Sequence, residues 1–290
     1  MRIVYYSSAV SGSGHVVTGL SIGNALQRRG IESEYLLLTS SSYSYLADAF
    51  SIQHIEIPLE QSGDLRKDRF ERSHLYTALA KTDPDILVVD LAWFMLHSFI
   101  DQLPAKKIIL FRRIADEAFS IELSWGCIRF RPEKYDFVFK TEPYTSSVGM
   151  DQINPLIIKN REEIYPRDEA LRLLNLKAEH PTCFFTVTGN PGEFDQIKKS
   201  YSYLEDEGYQ MVYTTNEGKG IFPVVDYFNA ADLLVCGAGY NAFWEAVYFE
   251  KNAYFVPIQR RFENTFQRVA ECQDYHFEEN GADQLVDIIL

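Results

Sequence analysis

The stretch Leu233-Leu234-Val235-Cys236-Gly237-Ala238-Gly239-Tyr240-Asn241 decides the fold. Its first four residues are an apolar run of the kind found in a strand buried on both faces. Gly237-Ala238-Gly239 then turns the chain with little side chain in the way, residues 241–249 read as a helix, and residues 253–256 return as a second apolar strand. The first backbone N–H groups of such a helix have no intrahelical partner and carry partial positive charge, so an anion is stabilised there. Gly237, Gly239, Tyr240 and Asn241 are therefore candidate backbone ligands for an anionic group. Glu245 lies a turn or more into the helix, where a carboxylate can accept hydrogen bonds from sugar hydroxyls. On spacing alone, an ordinary βαβ turn with a surface glutamate fits equally well.

Outward from this unit the same alternation fills the chain. Strands are predicted over residues 2–6, 34–39, 52–57, 85–90, 107–111 and 137–140. Between them a helical pattern runs through Val16, Val17, Leu20 and Leu26 to a stop at Gly30, and further helices are predicted over 43–50, 69–81 and 94–103. The polar stretch 159–167 reads as a linker. A second series follows it: helix 168–174, strand 183–187, turn 189–192, helix 193–206, strand 210–213, a short helix at 226–230, the opening unit, and helices over 262–272 and 283–289. The expected fold class is α/β, with two Rossmann-like doubly wound domains, residues 1–159 and 160–290, facing a cleft.

Composition bounds the partners. Hydrophobic residues make up 46% of 290, which excludes a disordered chain. The net charge of −13 disfavours nonspecific binding to nucleic acid or to anionic membranes. That charge is uneven: residues 1–159 hold 17 Lys/Arg against 19 Asp/Glu, and residues 160–290 hold 11 against 22. An anionic ligand on the second half must therefore be held by local donors. Cys127, Cys183, Cys236 and Cys272 form no CxxC pair, and we read them as reduced thiols of a cytoplasmic protein. The N-terminus reads as a strand, not a signal peptide, and no apolar run approaches the ~20 residues of a membrane helix, so no integral membrane segment is expected.

The first domain has its own glycine turn, Gly12-Ser13-Gly14, followed by His15 at a helix start. A helix N-terminus disfavours the imidazolium, and a neutral imidazole can accept a proton from a hydroxyl or from water. His15 as a polar residue bonded to nearby backbone is the plainer alternative. Arg112 and Arg113 end a strand of the same domain and are candidates for phosphate or acceptor contacts, as are Gly12 and Gly14. Arg260 and Arg261, just beyond Pro257, can add counter-charge in the second domain or can be a solvated loop pair. Asp83-Pro84-Asp85 precedes its strand and so lies at the wrong sheet end for a metal motif, and no histidine pair has metal-ligand spacing. No metal and no cofactor are expected.

Taken together, Gly12-Ser13-Gly14-His15, the strand at 85–90, the helix from 167 and the unit 230–257 resemble glycosyltransferases of the GT-B fold. The branch they look most like contains the peptidoglycan N-acetylglucosaminyltransferase that makes lipid II, and the resemblance spans nearly the whole chain. It implies metal-independent sugar transfer from a nucleotide-sugar, such as a UDP-sugar, to an acceptor not identified by the sequence and expected to be soluble. His15 would be the general base, Glu245 would hold the ribose, and Gly189 and Asn190 would add backbone donors for the diphosphate. Glu263, Asn264 and Gln267 resemble a variant of the paired Glu-Gln or Gln-Gln that follows in the family. The chain departs from the pattern in having one fewer glycine in the first turn, Asn264 in place of glutamine, and Glu193 and Asp195 after the 189–192 turn. Related hydrolases of nucleotide-sugars share the Gly-x-Gly-His turn, with water as acceptor. They usually carry an arginine where this chain has Val16-Val17-Thr18, which favours transfer. A sugar-nucleotide binding protein without catalysis is the third reading.

Overall fold

The computed structural model describes residues 1–8, 12–187, 191–214, 220–259 and 263–290. By its internal contacts the chain forms two compact units. Of the described residues, those in 1–158, Glu263 and Glu279–Leu290 form the first, and those in 159–259 with Asn264–Glu278 form the second.

The first unit is built on a parallel sheet of seven strands: β1 (Arg2–Ser7), β2 (Glu34–Thr39), β3 (Gln53–Glu56), β4 (Ile86–Asp90), β5 (Lys106–Phe111), β8 (Phe137–Lys140) and β9 (Asp151–Gln152). They lie in the order β3-β2-β1-β4-β5-β8-β9. Between β5 and β8 the chain makes an antiparallel hairpin, β6 (Ser120–Leu123) and β7 (Gly126–Arg129). Alternate strand residues serve the two faces of the sheet. Val4, Tyr6, Leu87, Val89, Ile109 and Phe111 point into one core. The helices α2 (His74–Thr82) and α3 (Trp93–Leu96) and the inner side of the hairpin add Leu75, Leu79, Trp93, Leu96, Ile128 and Phe130 to it. The opposite face carries Tyr5 and Leu37 and is covered by α1 (Gly14–Arg28). The approach is close: a Cβ on Gly19 would stand 2.6 Å from Leu37 Cδ1 and 2.7 Å from Tyr5 Cδ1.

The second unit opens with α4 (Arg167–Leu173) and holds a four-stranded parallel sheet in the order β11-β10-β12-β13. Its strands are β10 (Thr182–Thr186), β11 (Gln210–Tyr213), β12 (Leu233–Gly237) and β13 (Ala253–Val256). Its further helices are α5 (Pro191–Ser200), α6 (Tyr203–Asp206), α7 (Tyr240–Tyr248) and α8 (Thr265–Cys272). Each unit thus has the parallel, helix-covered sheet of a Rossmann-like domain.

One boundary differs from the sequence reading. A division at 159/160 assigns the last helix, α9 (Gly281–Ile289), to the second domain, but it belongs to the first unit. Two ion pairs tie it to α1, Arg28 with Asp283 at 2.8 Å and Arg29 with Asp287. Leu285, Val286 and Ile289 are buried. Asn280 caps α9 and clasps the chain at Ile157, accepting from its N–H at 3.0 Å and donating to its carbonyl at 2.8 Å. Gly281 sits so close to this segment that an added Cβ would lie 1.8 Å from the Asn154 carbonyl oxygen. Backbone cannot rotate aside as a side chain can, so Gly281→Ala is expected to cost roughly 1–3 kcal/mol, the range of an overpacked core. Thermal unfolding reads this directly, and an unchanged Tm would show that the segment gives way freely.

Candidate active site

The first unit gathers a polar cluster at the carboxyl ends of β1, β4 and β5, which are neighbours in the sheet. The turn after β1 needs glycine at position 12, where φ is +74°. α1 starts at Gly14 with Ser13 as N-cap and no capping side chain, which puts His15 in the first turn. The imidazole, with 26% of its side chain exposed, places Nδ1 2.8 Å from Oδ2 of Asp90. Asp90 is the last residue of β4 and lies beside Ser7 of β1 and Leu110 of β5.

Three donors converge on that one oxygen. Besides His15 Nδ1, Tyr5 donates its hydroxyl at 2.6 Å and Arg112 donates Nη2–H at 2.6 Å. Among the described residues, the other carboxylate oxygen, Oδ1, is buried with no hydrogen-bond partner. Burial alone would raise the Asp90 carboxyl, but the Arg112 charge and the His15 and Tyr5 hydrogen bonds outweigh it and hold the group down at about 2. Tyr5 is pushed well above its ordinary range by burial and by the Asp90 charge, so its hydroxyl stays protonated. It also lies 2.7 Å from the His15 carbonyl.

The backbone beside Asp90 is strained. Leu91 has φ of +61°, unusual for a residue with a Cβ. It is the centre of a tight three-residue turn closed by Ala92 N–H donating to the Asp90 carbonyl at 2.7 Å. Such strain persists where the surrounding structure fixes it, and here it lies next to the carboxylate on which the cluster depends.

The second unit supplies the glycine turn from which the sequence reading began. β12 ends at Gly237, Ala238 N–H donates to the Val256 carbonyl at 3.0 Å, and Gly239 is the N-cap of α7 without a capping side chain. Among the described residues, its chain neighbours aside, no atom lies within 4 Å of a Cβ added at Gly239. Tyr240 and Asn241 begin the helix. Glu245, in its second turn, is 7% exposed, more enclosed than a surface glutamate, and burial pushes its carboxyl up to about 8. Beneath the turn lies Arg268, 0% exposed, donating Nη1–H to the Ala238 carbonyl at 2.9 Å. No glycine or charge pattern in the sequence singles it out.

Other expected site residues have different employment. Arg112, expected as a phosphate or acceptor contact, is 8% exposed and engaged by Asp90 and by Thr18. Arg113 is 5% exposed and donates to the Glu142 side chain and the Pro143 carbonyl. Asn264 caps α8 by accepting from Gln267 N–H at 3.0 Å, and the Gln267 side chain donates to Glu271 at 2.5 Å. Glu263 groups with the first unit. Gly189, Asn190, Arg260 and Arg261 lie outside the described residues. Asp85 accepts from the Arg2 backbone N–H at the amino end of the sheet. Among the described residues, no group of His, Cys, Asp and Glu could hold a metal ion, and no helix is long and apolar enough to cross a membrane.

No protein-family profile matches the sequence, and no curated protein matches it. Solved structures do match. A glycosyltransferase of Streptomyces sp. SF2575, SsfS6, complexed with thymidine diphosphate, superposes with a TM-score of 0.61 at 14% identity, over 93% of this chain and 85% of that one. MurG of Acinetobacter baumannii gives 0.52 at 13% identity, over 99% and 90%. A UGT transferase of Siraitia grosvenorii in complex with UDP gives 0.54 at 14% identity, over 99% and 89%. At these identities the likeness is one of fold, and it agrees with the two parallel, helix-covered sheets: the chain has the GT-B fold of these glycosyltransferases.

Proposed function

We propose that the chain is a glycosyltransferase that moves a sugar from a nucleotide-sugar donor to an acceptor hydroxyl, with His15 as general base. The observation that carries this reading is the 2.8 Å contact of His15 Nδ1 with a buried, ionised Asp90. An ionised carboxylate accepts the Nδ1 proton, which leaves the lone pair on Nε2. The acceptor hydroxyl gives its proton to Nε2 as its oxygen bonds to the anomeric carbon, the bond from that carbon to the diphosphate oxygen breaks, and the nucleoside diphosphate leaves. Asp90 orients the ring and stabilises the imidazolium that forms, the part a carboxylate plays in a Ser-His-Asp triad. The start of α7, whose N-cap Gly239 brings no side chain, suits the developing diphosphate charge, and this scheme assigns no step to a metal ion. That two fold neighbours were solved with nucleoside diphosphates supports the donor class.

The test is incubation with a panel of nucleotide-sugars, with and without candidate acceptors, reading both free nucleotide and glycosylated product. Product formed only with an acceptor supports transfer. Nucleotide released at full speed into water, with no product from any acceptor, makes the protein a hydrolase, and no release at all leaves a binding protein.

Glu245 gives a separate check on the donor. In the free protein at pH 7 its carboxyl is mostly protonated, since burial holds it at about 8. A ribose hydroxyl donating to it favours the anion, so binding of a nucleoside diphosphate at pH 7 is expected to release a proton, seen by calorimetry in buffers of different ionisation enthalpy. Glu245→Gln is expected to abolish that release and weaken binding by ~1–3 kcal/mol. The stability effect has the opposite sign. As pH rises from the ordinary 4.5 towards 8, the unfolded chain loses this proton and the folded one keeps it, so wild-type stability falls. The variant should therefore match wild type in Tm near pH 4 and exceed it at pH 8. Unchanged nucleotide affinity would remove Glu245 from the donor site.

A further inference from the structure

We infer that Thr18 and Arg112 together select the tautomer of His15, acting as positioning residues that keep the Nε2 lone pair available. The inference rests on the reading of His15 as a base for its consequence in activity, but not for its geometry. His15 and Thr18 are three residues apart on α1 and so share one face of the helix. Arg112 follows β5 and reaches both. Its Nη2 lies 2.6 Å from Asp90 Oδ2, 2.9 Å from Thr18 Oγ1 and 3.2 Å from His15 Nδ1.

Counting protons decides among these three contacts. A guanidinium Nη carries two hydrogens and no lone pair. Asp90 takes one. Thr18 takes the other, because its own hydroxyl proton is donated to the Gly14 carbonyl at 3.1 Å, which turns an oxygen lone pair towards Arg112. Only a share of one of these hydrogens reaches His15, at the longer 3.2 Å. If Nδ1 bore a lone pair it would receive no full hydrogen, and Asp90 Oδ2 would lose a donor. Nδ1 therefore carries its own hydrogen, directed at Asp90, and Nε2 carries the lone pair. Asp90 alone would favour the same tautomer, but a freed Arg112 N–H would compete with it by donating to Nδ1. Thr18 removes that competitor.

Tyr5, from β1, is a further titratable group packed on the pair. Its single proton is shared between Asp90 Oδ2 and the His15 carbonyl, so it cannot reach Nδ1. The arrangement assigns a task to a threonine that touches no reacting atom and to an arginine whose charge is already matched by Asp90.

The experiment replaces Thr18 with valine, nearly the same shape without the oxygen, and with serine, which restores it. Nitrogen-15 NMR of the histidine side chains above pH 7.5 reports which ring nitrogen holds the hydrogen, with His15→Ala identifying the signal. Wild type and Thr18→Ser are expected to show Nδ1–H. Thr18→Val is expected to shift the ring towards Nε2–H and to lower kcat by about tenfold or more, below the ~10⁴-fold seen when a triad carboxylate is made into an amide. KM for the donor and the Tm should hold. A Thr18→Val ring still in the Nδ1–H form overturns the inference, whether turnover falls or not. A ring that changes tautomer with turnover intact upholds the inference and rejects His15 as the base.

Discussion

Replacing His15 with alanine is expected to lower turnover by ~10²–10⁴-fold, the usual loss when a positioned acid–base group is removed. The first-turn position, the 26% exposure and the Asp90 contact together describe a ring held at Nδ1 and partly exposed. Nucleotide affinity is expected to change little, since the α7 turn and Glu245 proposed for the donor belong to the second unit. Steady-state kinetics at saturating donor and acceptor, beside nucleotide binding by calorimetry, separate the outcomes. Near-normal turnover would end the proposal, and a loss confined to nucleotide affinity would make His15 a binding residue.

A second large effect is expected at Asp90. Asp90→Asn keeps the shape but removes the anion. An amide nitrogen can donate to His15 Nδ1 and stabilise the wrong tautomer, which in a Ser-His-Asp triad costs ~10⁴-fold in turnover. It also leaves Arg112 buried beside a neutral group, and breaking a buried pair from one side costs ~3–5 kcal/mol. Acid should narrow this gap in stability. The Asp90 carboxyl is held at about 2, below its ordinary 3.8, so its stabilising contribution is complete above pH 4–5 and is lost as pH falls towards 2. Wild type and variant should therefore converge in Tm on acidification. A variant as stable as wild type at pH 7 would show that the Arg112 charge is satisfied without Asp90.

Much of the fold was legible because apolar runs in a parallel sheet are nearly continuous. The strands at 34–39, 137–140, 210–213 and 253–256 lie where their residues predict. The helix predicted over 69–81 is broken by Ser73, which takes an extended conformation and caps α2 by accepting from Tyr76 N–H. The helix predicted over 94–103 is the short α3 followed by a single 3-10 turn at Ile100–Gln102. The hairpin of β6 and β7 was missed, since four-residue strands with exposed polar positions such as Glu122 and Arg129 leave little pattern to read.

His15 could be singled out because its neighbours in sequence, a glycine turn and a helix start, are also its neighbours in space. Asp90 could not, and Arg112 was singled out only for a phosphate or acceptor contact, not as a partner of His15. They lie 75 and 97 residues away from it, and only the strand order β1-β4-β5 and its register bring them to one point. The available signal was a carboxylate closing an apolar strand and an arginine just past the next one. Either pattern alone is equally consistent with a surface loop.

The return of α9 to the first unit also bears on how the protein is made. The first domain is not a continuous piece of chain: more than a hundred residues separate Ile158 from Glu279. During synthesis, the nascent first domain has its seven strands well before it has the helix that pairs with Arg28 and Arg29. Until residues 279–290 arrive, the surface that receives Leu285, Val286 and Ile289 stays open to water or to a chaperone. The two domains therefore cannot mature strictly one after the other, because the second is fully synthesised before the first can close.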